Sequence, residues 1–239
     1  MKIVVSNELE IVDKLKAQIA SGKYSAHDKL PSENDIADQY NVPRITARKA
    51  YERLEELGYI YKLQGKGSYV RDRCKQIELV LSGDVSFSQK MTEKGYDFQS
   101  TNVFCKEIQF NDKIYNFLET RDGDRIFKVG RLRFIDRQPI ALHISYVAQS
   151  VFHDIDIVGR DITSMFSYYH SKGYTEFGSK PSCLSITFPT KNQRKLLECT
   201  QLTPLLVLES GCMDEKSGRV LEYTKIFYRS DCFSSYILS

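Results

Sequence analysis

Leu30-Pro31-Ser32-Glu33, then Asn41-Val42-Pro43, Arg44-Ile45-Thr46-Ala47-Arg48-Lys49 and Gln64-Gly65-Lys66-Gly67-Ser68-Tyr69-Val70, together decide the fold of the first part of this chain. Ser32 is a good N-cap with Asp35 at the capping-box position, so a helix opens there with Ile36, Ala37 and Tyr40 facing inward. Asn41-Val42-Pro43 makes a tight turn. Pro43 suits the first position of the next helix, because its missing N–H would be unpaired there anyway. Ala47, Ala50, Leu54 and Leu57 form the buried stripe of that helix, and Gly58 ends it. Tyr59 to Leu63 and Ser68 to Val70 then flank Gln64-Gly65-Lys66-Gly67 as the strands of a hairpin. Two helices meeting at a tight turn, followed by a hairpin, make a winged helix-turn-helix. Its second helix begins with Arg44, Thr46, Arg48 and Lys49. Guanidinium groups so placed read guanine edges in a major groove, and lysines hold phosphate.

Upstream, Leu9, Val12, Leu15 and Ile19 recur at helical steps, predicting a first helix from about Leu9 to Ala20 with Gly22 as its stop. The charge follows this organisation. The formal net charge is +3, and all of it lies in residues 1–76, with fourteen Lys/Arg against eleven Asp/Glu. Within residues 41–75 nine basic residues face four acidic ones. Positive charge therefore concentrates on the second helix of the motif and the hairpin, as a phosphate-facing surface requires, although a solvated basic face alone would look the same.

The 239 residues suffice for two domains. Six cysteines show no close pairing and no Cys-x-x-Cys spacing, so reduced thiols packing as small hydrophobes are expected. The N-terminus carries Lys2, Glu8, Glu10 and Asp13 without an apolar signal core, and no apolar run approaches the length of a membrane helix. These features predict a cytoplasmic protein with no membrane partner.

Arg71 to Gln76 reads as a short charged linker between a domain at 1–70 and a second at 77–239. Beyond it, strands are predicted at Thr101–Gln109, Arg125–Ile135, Ile140–Val147, Ser182–Phe188, Leu205–Met213 and Val220–Arg229. Asp122-Gly123-Asp124, Asp136-Arg137-Gln138-Pro139 and Glu215-Lys216-Ser217-Gly218 supply turns. Helices are predicted at Ser86–Lys94, Asp112–Leu118, Ile162–Ser171 and Lys191–Glu198. The expected class is α+β, with an antiparallel sheet and its helices on one side. Arg131 and Arg133 stand two apart on one predicted strand, so both emerge on one face. They either clamp a phosphate or carboxylate together or pair with carboxylates on neighbouring strands. Ser86 to Ser88, at a predicted helix start, present free backbone N–H groups that favour an anion. Ser164 begins another helix.

With these residues in hand, the chain resembles the GntR family of bacterial transcription factors, and within it the HutC subgroup. In the first domain the likeness rests on Leu30-Pro31-Ser32-Glu33, Arg44-x-Thr46-x-Arg48, Gly58-Tyr59-Ile60 and Gln64-Gly65-Lys66-Gly67-Ser68-Tyr69-Val70. In the second it rests on Ser86-Phe87-Ser88, Arg131-Leu132-Arg133, Gln138-Pro139-Ile140-Ala141, Ser145-Tyr146, Ser164-Met165-Phe166, Glu222-Tyr223 and Tyr228-Arg229-x-Asp231. That second domain resembles the UTRA effector domain, similar in fold to chorismate lyase.

The resemblance implies DNA contacts from Arg44, Thr46, Arg48 and Lys49 and from Gly65, Lys66 and Gly67, with Glu33 ordering the fold. It implies an effector site at Ser86, Phe87, Ser88, Arg131, Arg133, His143, Ser164, Phe166, Glu222 and Tyr228. The expected protein is a homodimeric repressor on a pseudo-palindromic duplex operator, answering to a small anion such as a sugar phosphate or carboxylate. Four positions depart from the family pattern. Asn34 stands where some relatives place a basic contact residue. Pro43 replaces a serine, and its phosphate contact is lost. His143 stands where sensors of phosphorylated amino sugars carry glutamate, and Phe166 where a tyrosine hydroxyl is common. The ligand is then not N-acetylglucosamine 6-phosphate, although a histidine satisfied within a core is the competing reading of His143.

An enzyme on the same sheet is the rival class, and a constitutive DNA-binding protein with an inert lyase-like second domain is a further alternative. Glu222 and Tyr228 are the residues for acid–base work in such an enzyme. The four histidines share no metal-ligand spacing, and neither a P-loop nor a nucleophile elbow is present. No cofactor is expected.

Overall fold

The computed structural model describes residues 7–72, 77–81, 87–120 and 123–238. Two compact units divide the chain, with Lys75 and Gln76 on either side of the boundary. The first holds α1 (Asn7–Ala20), α2 (Glu33–Tyr40), α3 (Arg44–Glu56), β1 (Ile60–Leu63) and β2 (Gly67–Val70). Most of the predicted linker, residues 73–76, lies outside the described residues.

Local chemistry sets each boundary in this unit. The Ser32 hydroxyl accepts from the Asp35 backbone N–H, and the Asp35 carboxylate accepts from that of Ser32, closing the capping box at α2. Asn41 ends α2 in the left-handed region at φ 49°. Pro43 is extended at φ −56° and ψ 140°, so it precedes α3 as its cap, one position earlier than the sequence suggested. Ile11, Val12, Leu15, Ile36, Ala47, Ala50, Tyr51, Leu54, Ile60 and Val70 are all buried in one core. Tyr51, not part of the predicted stripe, is fully enclosed and donates its hydroxyl to the Pro31 carbonyl at 2.6 Å. That bond ties the recognition helix to the loop before α2. Leu57, placed in the stripe by sequence, is only partly buried at the end of α3.

The second unit contains β3 (Ile77–Leu81), α4 (Phe87–Glu93), β4 (Phe98–Glu107), α5 (Asp112–Phe117), β5 (Ile126–Ile135) and β6 (Gln138–Ala148). It continues with α6 (Ile155–Val158), α7 (Met165–Ser171), β7 (Phe177–Thr187), α8 (Lys191–Leu197), β8 (Leu205–Asp214), β9 (Val220–Arg229) and β10 (Phe233–Leu238). Six strands form one antiparallel sheet in the order β4-β5-β6-β9-β8-β7. The separate pairing of β10 with β3 is parallel, and sequence reasoning missed it.

Helices cover both faces of the sheet, which corrects the one-sided expectation. Phe127 and Val129 pack with Tyr168 and Tyr169 of α7. Ile126, one residue from Phe127 and so on the opposite face, packs with Ile114 of α5. Burial along β5 and β6 is accordingly almost continuous. The turn joining these strands is Asp136-Arg137, both at positive φ (48° and 64°), while Gln138 and Pro139 already belong to β6. Cys105 and Cys212 are buried free thiols, as expected of small hydrophobes, whereas Cys232 is disulfide-bonded.

Candidate functional site

One end of the first unit gathers the cations predicted from sequence. The side chain of Arg44 is 69% exposed at the start of α3 and lies 3.9 Å from Glu33, which also pairs with Lys62 of β1 at 3.7 Å. Arg48 donates from Nε to Glu52 at 2.9 Å across one helical turn. These are exposed ion pairs of little intrinsic strength, so they orient the arginines without withholding them from a ligand. Glu33, Arg44, Ile45, Arg48 and Lys62 line a cleft of about 530 Å³. Lys49 is exposed and Thr46 half-buried on the same helix. Ile45 is 56% exposed, unusual for a large aliphatic residue amid charge, and sequence reasoning passed over it. Its place between Arg44 and Thr46 was the available signal.

At the hairpin tip, Gly65 and Gly67 have φ of 72° and 113°, which an L side chain rarely adopts. A Cβ on Gly67 would also stand 3.0 Å from Lys29 Cε. Lys66, between them, is exposed. Stacked Tyr61 and Tyr69, with centroids 5.7 Å apart, stiffen the two strands of the wing.

The second unit holds a group of buried polar side chains on one face of the sheet. Arg131 and Arg133 of β5 are 4% and 3% exposed. Arg131 sits directly opposite His143 of β6, which in turn sits opposite Ile226 of β9. Arg131 donates to the Ser145 hydroxyl and lies 3.7 Å from the Glu222 carboxylate. Arg133 donates to the Ser100 hydroxyl and to the Thr163 carbonyl, the latter at 3.0 Å. No carboxylate among the described residues forms an ion pair with Arg133. Arg131 therefore takes the cross-strand pairing that sequence left open, and Arg133 does not.

Three nitrogens in this group, Arg131 Nε, Arg133 Nε and His143 Nε2, are buried without a hydrogen-bond partner among the described residues. Burial works against both guanidinium charges, and for Arg133 the charge of Arg131 adds to it. Arginine nonetheless keeps its proton in proteins. The result is a demand for negative charge: among the described residues, two buried cations have one buried carboxylate, Glu222, between them. Burial, then Arg133 and Arg131, hold the His143 pKa well below the usual histidine range, so its ring is neutral at pH 7.

Aromatic rings wall this space. Phe87 meets His143 at 5.3 Å and Tyr228 at 6.0 Å between centroids, and Phe98 lies beneath the Arg133 guanidinium at 5.7 Å. Tyr169 of α7 is fully buried, and its hydroxyl pKa is driven up by burial and by Glu222. Phe166 is set further out, packed on Phe177 and Tyr169. Ser164 caps α7 by accepting from the Ser167 N–H, which commits its hydroxyl locally. Ser86 lies outside the described residues, and of Ser88 only its place in α4 is described. Ser100, Ser145 and Tyr169 were not predicted. Ser145 was within reach, since it follows His143 by two positions on the same strand face.

Among the described residues no group of His, Cys, Asp or Glu has an arrangement that would hold a metal ion. No described helix is long and apolar enough to cross a membrane.

The UTRA domain family matches residues 93–234, and the bacterial regulatory proteins of the gntR family match residues 7–70. The chain is a GntR-family regulator with a UTRA domain. It is 26% identical to the mannosyl-D-glycerate transport/metabolism system repressor MngR of Escherichia coli K12, over 93% of this chain and 91% of that protein. It is 24% identical to the HTH-type transcriptional regulator GgaR of the same strain, over 94% of this chain and 88% of that protein. These relatives are named as transcriptional regulators, and this GntR-family chain with its UTRA domain is a transcriptional regulator and not an enzyme. Its fold is shared with PhnF from Mycobacterium smegmatis, at TM-score 0.60 and 18% identity over 96% of this chain and 98% of that one.

Proposed function

We propose that this regulator is a repressor that binds a pseudo-palindromic operator as a homodimer in the cytoplasm and releases or retains it according to a small anionic metabolite. The observation that carries the ligand class is the charge of the buried group, where Arg133 has no carboxylate partner among the described residues. A phosphate or carboxylate taking the unpartnered Nε groups of Arg131 and Arg133 would neutralise the excess, because buried charge without a counterion is costly. Neutral His143 and the hydroxyl of Tyr228 would then orient hydroxyl or amine groups of the same molecule, with Glu222 as acceptor. Phe87 would cover it. Ser86, Ser88, Ser164 and Phe166 remain part of this reading as residues around the ligand. A relative named for mannosyl-D-glycerate, a sugar joined to a carboxylic acid, supports the same class.

On the DNA side, Arg44, Arg48 and Lys49 reach base edges and phosphates, Thr46 supports them, and Lys66 holds phosphate from the wing beside Gly65 and Gly67. Ile45 adds an apolar surface for the C5-methyl of thymine. A thermal-shift screen of sugar phosphates and organic acids tests the ligand class. A true effector raises the unfolding midpoint with concentration by mass action, and a rise produced only by uncharged apolar compounds would overturn it.

A further inference from the structure

Tyr51, Tyr168 and Tyr223 are buried, and each donates its hydroxyl to a protein acceptor. Tyr51 bonds the Pro31 carbonyl, Tyr168 the Asp154 carboxylate at 2.8 Å and Tyr223 that of Glu209 at 2.7 Å. Tyr169, beside Tyr168 on α7, is fully enclosed and does not follow them. Its hydroxyl is buried without a hydrogen-bond partner among the described residues. Four buried side-chain atoms among those residues share that condition, and the other three are Arg131 Nε, Arg133 Nε and His143 Nε2. A hydroxyl left unmet inside a protein costs free energy, so its place among these atoms calls for a reason.

The ring of Tyr169 is held in place. It stacks on Phe152 with centroids 5.2 Å apart and lies 6.1 Å from Phe177, so packing keeps the hydroxyl from swinging to another acceptor. Burial and then Glu222 push its pKa well above the usual tyrosine range while Arg131 draws it down, which sets a protonated hydroxyl beside that buried ion pair. Glu222 is close enough to act on it, yet no hydrogen bond of acceptable geometry joins the two. The residues at the start of α7 offer less: Ser164 commits its hydroxyl to the helix cap, and Phe166 has none.

We propose that Tyr169 is a specificity-determining residue of the effector site, its hydroxyl meeting a neutral hydroxyl group of the ligand. The inference rests on the effector reading above, in which the anion takes the two arginine Nε groups and His143 orients the rest of the molecule. The Tyr169 hydroxyl is the atom that reading leaves over. A second anionic group is not what it meets, because the buried Glu222 carboxylate would repel it. A ligand hydroxyl suits both residues: it accepts from Tyr169 and donates to Glu222, joining two groups that do not bond directly. The ligand class narrows from any small anion to one carrying a hydroxyl away from its charge, as sugar phosphates and sugar acids do.

Tyr169→Phe removes one oxygen and keeps the ring. In the full chain without ligand, its urea midpoint should equal or exceed the parent's, since an unpartnered hydroxyl is gone. A lower midpoint would mean that the hydroxyl is bonded in the free protein, and would overturn the proposal. Calorimetry then compares parent and variant on hexose phosphates, disaccharide phosphates and sugar acids. Each hydroxyl of the tightest probe is removed in turn, as the deoxy analogue. At one position the loss of affinity should be larger for the parent than for the variant by about three- to tenfold, the worth of one neutral hydrogen bond. A parent that binds none of the probes would overturn the effector reading and this inference together. Equal losses for parent and variant at every position would overturn this inference alone and assign Tyr169 to packing.

Discussion

Arg131 and His143 face each other on adjacent antiparallel strands, and each buries a nitrogen that no described residue satisfies. In a sheet this well packed, such groups are costly to leave unmet. In the proposed reading a bound anion completes the site, and these groups make the pocket testable residue by residue.

Replacing Arg133 separates ligand binding from folding. Ser100 already donates to the Thr163 carbonyl at 2.8 Å, so removing the guanidinium that contacts both leaves little unsatisfied. Arg133→Met should stabilise the unliganded protein by about 1 kcal/mol or more, because an uncompensated buried charge is gone. The same change should cost about 2–5 kcal/mol of effector affinity. Chemical denaturation without ligand and calorimetry with it are the two measurements. Lower stability together with undiminished affinity would show that Arg133 is structural.

His143 should set ligand selectivity. His143→Glu places an acceptor-only carboxylate between the two arginines, supplying part of the negative charge they lack. Selectivity should move toward amino-sugar phosphates, whose amine can use that acceptor, and away from dicarboxylates. Competition calorimetry on paired ligands reads this ratio, and an unchanged ratio removes His143 from the site.

Base reading by α3 is separable from phosphate holding by the wing. Arg48→Ala should cost about 1–3 kcal/mol on the specific operator and relax sequence preference, whereas Lys66→Ala should weaken all duplexes and flatten the salt dependence. For Ile45, deoxyuridine replaces thymidine one position at a time in a mapped operator. The parent should lose affinity at a thymine in each half-site, and Ile45→Ala should be indifferent there. An operator on which every methyl is dispensable removes Ile45 from the contact and leaves the arginines in place.

Acid stability has a source on the opposite face of the sheet. Burial raises the Glu209 carboxyl, but contacts from Lys113, Tyr223 and Lys225 outweigh it and bring its pKa down to about 2. A carboxyl lowered on folding contributes stability that is full above its unfolded value near 4.5 and is lost as pH falls toward 2. Glu209→Gln should therefore destabilise by about 2 kcal/mol at neutral pH, with the gap to the parent closing between pH 5 and pH 2. Urea midpoints at several pH values check it, and a gap independent of pH would assign the loss to packing instead.

Much of this was legible because the signals are local. The capping box at Ser32, the glycines at 65 and 67 and the arginine spacing on α3 act over one turn of chain, so sequence alone determined the first unit. In the second, alternation located all six strands of the main sheet and put Arg131 and Arg133 on one face. What sequence could not supply was partnership across long separations. Glu222 lies far along the chain from Arg131, and only the β6–β9 pairing brings it to 3.7 Å. The absence, among the described residues, of a carboxylate paired with Arg133, the second helical layer over the sheet and the parallel β3–β10 pair depend likewise on which strands neighbour which. That order is fixed by burying both faces at once, a property of the assembled sheet and of no single segment.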